Sequence, residues 1–181
     1  MNADALNPAN LLTLLRLCLV PVAVIAIVNR EWTLAFVVFV AAGITDALDG
    51  FVAKRFDLRT ELGAYMDPLA DKALLMSIYV TLAIAGVLPV WLAVLVVSRD
   101  VMIVGAVILS WLMDRPLDIN PSLVSKANTL AQIVLAALML FTLAFNVEWA
   151  WLTTAGIIAV TVLTVGSMLA YLGGWLRHMS P

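Results

Sequence analysis

The chain has one cysteine, Cys18, and one histidine, His178, among 181 residues. A lone thiol excludes an intramolecular disulfide and any Cys-rich metal site. Cys18 itself, set in an apolar run, reads as a small buried residue. With the histidine at the C-terminal tail, no cysteine or histidine nucleophile accompanies the acidic cluster described below, and neither a Gly-x-Ser-x-Gly elbow nor a Walker-type loop occurs. Charge is scarce too: 12% of residues are charged against 64% hydrophobic, which is too little polar surface to clothe a water-soluble globule. A formal net charge of -2 supplies no global field for nucleic acid, so any anionic partner must be met by local basic groups. The N-terminus also lacks a charged stretch followed by a short apolar run and a cleavage site. The expectation is therefore a mature chain, most simply in a bacterial inner membrane, with an organellar chain whose presequence has been removed as the alternative.

What is present is a series of long apolar runs, at about Leu11 to Val28, Trp32 to Ile44, Leu69 to Ala85, Val87 to Trp111, Thr129 to Phe145 and Trp149 to Tyr171. They predict an all-α integral membrane protein of six transmembrane helices, a single domain over residues 1–181. Turn signals at Asn29-Arg30-Glu31 and at Gly86 with Pro89 predict tight hairpins on one side. Longer polar links, Asp46 to Lys72 and Met113 to Lys126, fall on the other. Those links carry Lys54, Arg55, Arg59, Lys72, Arg115 and Lys126, whereas the hairpin side has Arg30 alone. Because cytoplasmic loops are enriched in Lys and Arg, both termini and the links are expected to face the cytoplasm. Trp32, Trp91, Trp111, Trp149 and Trp151 near span ends read as interfacial anchors. Gly43, Gly105, Gly156 and Gly166 read as points where helices pack closely.

A charged side chain inside a span costs roughly 2.5 to 3.5 kcal/mol on insertion scales, so each one calls for a reason. The clearest are Arg16, Asp71, Lys72, Arg99 and Asp100. Two readings stand for Arg99 and Asp100, an intramembrane ion pair or a place at a substrate site. Arg16 either snorkels to the interface or serves the site.

The main constellation is acidic. Asp46 and Asp49 are three apart and Asp67 and Asp71 four apart, so on helical backbone each pair shares a face. Pro68 would begin or kink the third helix, and either leaves the second pair together. With the end of the second helix facing the start of the third, four carboxylates converge at one membrane boundary and repel one another. Hard divalent cations, Mg2+ or Mn2+, relieve that repulsion through oxygen ligands and keep positions open for phosphate oxygens. Two such ions clamping a diphosphate are the expectation. Gly50 leaves room for a headgroup against the backbone. Lys54 and Arg55 add positive charge for phosphate oxygens, besides setting topology.

At these residues the sequence closely resembles the CDP-alcohol phosphatidyltransferase family. Its signature, two Asp three apart, Gly, Ala, a basic residue, Gly and two Asp four apart, is matched by Asp46, Asp49, Gly50, Ala53, Gly63, Asp67 and Asp71. The residue after Ala53 is usually Arg in the family; here it is Lys54, with Arg55 next to it. The segment from Asn10 through Thr13 to Arg16 looks like the start of the family's first helix. Ser98 to Met102 and Ser125 to Thr129 look like the cardiolipin-forming branch. The resemblance implies a six-helix fold, a homodimer, a divalent-metal site on Asp46, Asp49, Asp67 and Asp71 open to the cytoplasm, and CDP-diacylglycerol as donor. It further implies that Asp71 acts as general base. Gly50, Ala53, Lys54, Arg55, Gly63, Asn10 and Thr13 are expected to bind the CDP-lipid. Arg99, Lys126 and Arg16 are expected at the acceptor.

Phosphatidylglycerol is the leading acceptor, with glycerol 3-phosphate as the alternative. An ion transporter is the competing class, since intramembrane carboxylates also relay cations. Against it, the Asp residues cluster at one membrane face. A pure scaffold gives no reason for four Asp at these spacings.

Overall fold

The computed structural model describes residues 8–56, 61–112 and 123–179, with side chains described for 14–46, 72–105, 109, 112 and 123–175. Six helices and no strand occur among the described residues: α1 (Pro8–Val28), α2 (Trp32–Phe56), α3 (Glu61–Ile84), α4 (Val90–Leu112), α5 (Leu123–Phe145) and α6 (Ala150–Met179). At 1.5 Å rise per residue, their lengths of 21 to 30 residues give about 32 to 45 Å, against a hydrocarbon core of about 30 Å. Two of them, over Leu123–Phe145 and Ala150–Trp175, are long and apolar enough to cross a membrane; the apolar stretches Leu14–Val28, Trp32–Asp46 and Lys72–Ile84 are shorter.

Three tight connections join the helices in antiparallel pairs, and each contains one residue in the left-handed region: Arg30 (φ 58°), Gly86 (φ 76°) and Asn146 (φ 52°). They are C-terminal caps. After α1, the Arg30 N–H donates to the Ile27 carbonyl and the Glu31 N–H to that of Ala26; after α3, Gly86 and Val87 do the same with Ala83 and Leu82. The Val147 N–H reaches the Thr142 carbonyl in the third turn. The hairpins at Asn29–Glu31 and Gly86–Pro89 are thus where the turn residues place them.

The polar link expected between Asp46 and Lys72 is mostly helix. α2 runs on to Phe56 and α3 starts at Glu61, so Pro68 lies within α3 and does not begin it. Charged residues carry the helices past the apolar runs because nothing in that stretch forces a break before residue 57. In the same way α5 begins at Leu123 and includes Ser125 and Lys126 in its first turns.

Among the described residues the main packing partners form a closed ring, α1, α2, α5, α6, α4, α3 and back to α1, with α3 also touching α5. The core is apolar toward the hairpin end, with Ile27, Phe39, Ile78, Leu82, Leu88, Leu92, Leu140 and Met139 buried. Phe36, Phe141, Phe145 and Trp149 close that end in edge-on and stacked contacts. Outward the pattern inverts. On α6 the buried positions include Thr164 and Ser167, while Val162, Val165 and Leu169 face out. On α5, Asn128 and Gln132 are buried while Leu130, Ile133 and Val134 are exposed. Polar residues inside and large apolar ones outside suit lipid as the surrounding solvent and not water.

Two small expectations change. Cys18 is exposed on the outer face of α1 instead of buried, because its neighbour Arg16 takes the inward face. Of the four glycines, Gly156 meets the Leu135 side chain closely, whereas Gly43 and Gly105 meet nothing among the described residues where a Cβ would stand. Trp91 and Trp151, 54% and 73% exposed, stand at the hairpin end, where indoles anchor well.

Candidate functional site

Helix connectivity brings the second half of α2, the first half of α3, the start of α5 and the end of α6 to one end of the bundle, opposite the hairpins. α1 lies between α2 and α3. Its Arg16, fully buried, places Nη1 2.9 Å from Asp46 Oδ1, while the Asp46 side chain stays 48% exposed. Snorkelling is therefore not what Arg16 does; it points into the bundle and meets the first carboxylate of the acidic motif. Asp46 retains an accessible face for a cation or for water.

Asp49, Gly50, Ala53, Lys54 and Arg55 lie on α2, and Gly63, Asp67 and Asp71 on α3. Asn10 and Thr13 lie in the first turns of α1. The backbone of all these is helical, so the three- and four-residue spacings do set each Asp pair on a common helix face. Their side chains, and Arg59 and Arg115 altogether, lie outside the described residues. Among the described residues no group of three or more His, Cys, Asp or Glu side chains stands together.

A second charged cluster lies among the described residues. Asp100 Oδ1 lies 2.7 Å from Lys72 Nζ and 2.6 Å from Arg99 Nη1. Arg99 also donates from Nε and Nη2 to Ser167 Oγ at 3.2 and 3.0 Å, and from Nη2 to Ser125 Oγ. Every nitrogen of the guanidinium is engaged, and Arg99 and Asp100 are 2% and 5% exposed. The ion-pair reading of these two residues is realised, with Lys72 as a third member. Lys126, next to Ser125, is exposed on an open groove of about 390 Å³ lined by Ser125, Lys126, Thr129, Leu130 and Ile133. The structure thus sets Arg99 inside the bundle and Lys126 at its surface, one residue from a shared serine.

Beside this cluster lies a polar layer that the sequence reading passed over. Thr164 Oγ1 donates to Asn128 Oδ1 at 2.9 Å, and Tyr79 Oη donates to the Gln132 carbonyl at 3.1 Å. Asn128 and Gln132 sit one turn apart on the inward face of an otherwise apolar helix. That spacing, polar residues at i and i+4 within a lipid-facing run, is the signal that could have found them.

A sequence profile of the CDP-alcohol phosphatidyltransferase family matches residues 6–171. A human protein named cardiolipin synthase (CMP-forming) is 36% identical over 153 residues, covering 76% of this chain and 51% of that protein. The chain thus spans about half the length of this relative. A Mycobacterium tuberculosis protein named probable phosphatidylglycerophosphate synthase is 35% identical over 165 residues, 87% of this chain and 78% of that one. A CDP-diacylglycerol–glycerol-3-phosphate 3-phosphatidyltransferase of Pseudomonas fluorescens is 29% identical over 184 residues, 96% of this chain and 92% of that one.

Proposed function

Because this chain belongs to the CDP-alcohol phosphatidyltransferase family, we propose that it transfers a phosphatidyl group from CDP-diacylglycerol to the hydroxyl of phosphatidylglycerol, giving cardiolipin and CMP. The observation that carries this reading is the complete acidic signature, Asp46, Asp49, Asp67 and Asp71 on two helices ending at one end of the bundle.

The acceptor oxygen attacks the phosphorus that bears the diacylglycerol, the bond from that phosphorus to the CMP oxygen breaks, and the proton of the hydroxyl passes to Asp71 as general base. A carboxylate with an ordinary pKa near 4 is a weak base for an alcohol, so proton removal is coupled to attack. The donor set fits a hard divalent ion: all four ligands are carboxylate oxygens, and Asp46 keeps half its side-chain surface open while paired with Arg16. Mg2+ or Mn2+, two ions on Asp46, Asp49, Asp67 and Asp71, would supply charge neutralisation for the diphosphate. Arg16 holds Asp46 in place from the buried side. Gly50, Ala53 and Gly63 leave the helix faces low for the CDP-lipid, Lys54 and Arg55 counter its phosphates, and Asn10 and Thr13 stand beside it on α1. Lys126 serves the acceptor side, with Arg99 holding the adjacent Ser125 in place.

In this reading the chain crosses the membrane six times as a homodimer, in a bacterial inner membrane with both termini and the acidic end cytoplasmic. Supporting it are the six helix lengths, the apolar exterior and the basic residues of the link end. A cysteine introduced at Glu31 should then label only from outside.

The second reading is transfer to glycerol 3-phosphate. It is favoured by the larger share of the relative matched, 78% of the M. tuberculosis protein against 51% of the human one. One assay separates them: purified protein, labelled CDP-diacylglycerol, and CMP release with each acceptor. Release with glycerol 3-phosphate alone would move the assignment to the second reading, and release with neither would end both.

A further inference from the structure

We infer that Asp100 is a positioning residue for the proposed site, the anion that fixes the carboxylate-bearing helix α3 against the other helices by holding Lys72 and Arg99 at once. One oxygen, Oδ1, takes both cations, at 2.7 and 2.6 Å, and the carboxylate is almost wholly buried. Lys72 follows Asp71 directly in α3, so its ammonium is held to α4 within one residue of the carboxylate assigned as base. Arg99 extends the connection, since its remaining donors reach Ser125 on α5 and Ser167 on α6. Four helices meet through a single carboxylate.

The charges explain why the group must be an anion. Among the described residues, two cations against one carboxylate leave this cluster one positive charge; removing the carboxylate leaves two cations together, one of them 2% exposed. A buried pair broken from one side is strongly unfavourable because the survivor is left uncompensated. Since Arg99 is enclosed, the repulsion is relieved at Lys72, whose flexible side chain swings outward and releases the tie between α4 and the Asp71 turn of α3. The effect should therefore fall on the chemical step more than on donor binding, which draws on α2 as well.

This inference rests on the phosphatidyl-transfer reading, and the experiment keeps the two apart. Wild type, Asp100→Asn, Asp100→Glu, Lys72→Met and the double variant Lys72→Met/Asp100→Asn are purified in detergent, checked for monodispersity, and compared in CMP release and in thermal unfolding. In Asp100→Asn, kcat should fall at least about tenfold while KM for CDP-diacylglycerol stays within about threefold. Asp100→Glu, which keeps the charge, should retain more of kcat than Asp100→Asn. The double variant restores the single positive charge of the wild-type cluster, so it should exceed Asp100→Asn in thermal midpoint; like Lys72→Met it lacks the tie to α3, so both should stay below wild type in kcat. Wild-type kcat in Asp100→Asn or in Lys72→Met, or a double variant with no higher thermal midpoint than Asp100→Asn, overturns the inference. Should Asp100→Asn give no monodisperse protein, Lys72→Met and the double variant decide: wild-type kcat in Lys72→Met, or a double variant that also fails to fold, overturns it. If wild type releases no CMP with any acceptor, the transfer reading falls, and the order of thermal midpoints alone still decides whether Asp100 holds the helices.

Discussion

The two ends of the bundle are built from the same six helices by opposite rules. At the hairpin end the interior is dry: Ile27, Phe39, Leu82, Leu88 and Leu140 fill it, and the connections are three to five residues long with left-handed caps. At the other end the same helices turn charged groups inward, joining α1 to α2 through Arg16 and Asp46 and α3 to α4 through Lys72 and Asp100. In lipid an apolar interior gains little over an apolar exterior, so the packed half supplies shape and rigidity through close contact. The charged half has no such default. Each ion pair in it needs its partner, and the proposed chemistry lies at this end.

The sharpest break between the halves should come from the acidic motif. Asp49→Asn or Asp67→Asn should cut CMP release by at least about 10²–10³-fold, the scale of losing a group that stabilises developing charge. Membrane insertion and the thermal midpoint should stay near wild type. Undiminished turnover in either variant, or in excess chelator, would reject the metal assignment.

The converse variant belongs to the dry half. Leu82 is fully buried, and Leu82→Ala should cost about 2–5 kcal/mol through the cavity it leaves. The kcat per folded molecule should remain unchanged. A large fall in kcat at full folding would show that the two halves are coupled more tightly than the packing suggests.

Much of this division was legible in the sequence, but unevenly. The apolar runs and the turn residues at Asn29–Glu31 and Gly86–Pro89 foretold the hairpins, because helix length and a left-handed cap are local properties. The acidic spacing foretold shared helix faces for the same reason. Pairing between helices was not legible: nothing in the local pattern around Arg16 names Asp46, or around Lys72 names Asp100, since register between helices is set by packing. Charge also misled. The stretch from Asp46 to Lys72 looked like a loop because its residues are polar, yet helical backbone tolerates polar residues wherever the helix leaves lipid. The inward positions of Asn128, Gln132, Thr164 and Ser167 went unread because a run that is apolar on average conceals which face is buried.

A smaller effect tests the acceptor side. Lys126 is exposed on the groove beside Ser125, while Arg99 is saturated by Asp100, Ser125 and Ser167. Lys126→Ala should therefore raise KM for phosphatidylglycerol about three- to tenfold, the range of a partly solvated charged contact, with little change in KM for the donor. Equal loss for both substrates would place Lys126 outside the acceptor site.

The smallest effect separates a turn glycine at the dry end from a helix glycine near the charged end. Gly86 has φ of 76° and caps α3; a Cβ there meets no neighbouring atom, so only backbone strain opposes it. Gly86→Ala should cost about 1 kcal/mol, the penalty of holding an L-residue in the left-handed region. Gly43 also has open space for a Cβ, but it lies within helical backbone of α2. There alanine is the better helix former by about 1 kcal/mol, so Gly43→Ala should raise the thermal midpoint if nothing else packs on that face. Measured side by side in detergent, the two substitutions should move the midpoint in opposite directions. A fall for Gly43→Ala as well would mean that something packs on this face of α2, and comparison of the variant's mass in solution with that of wild type would show whether it is a second copy of the chain.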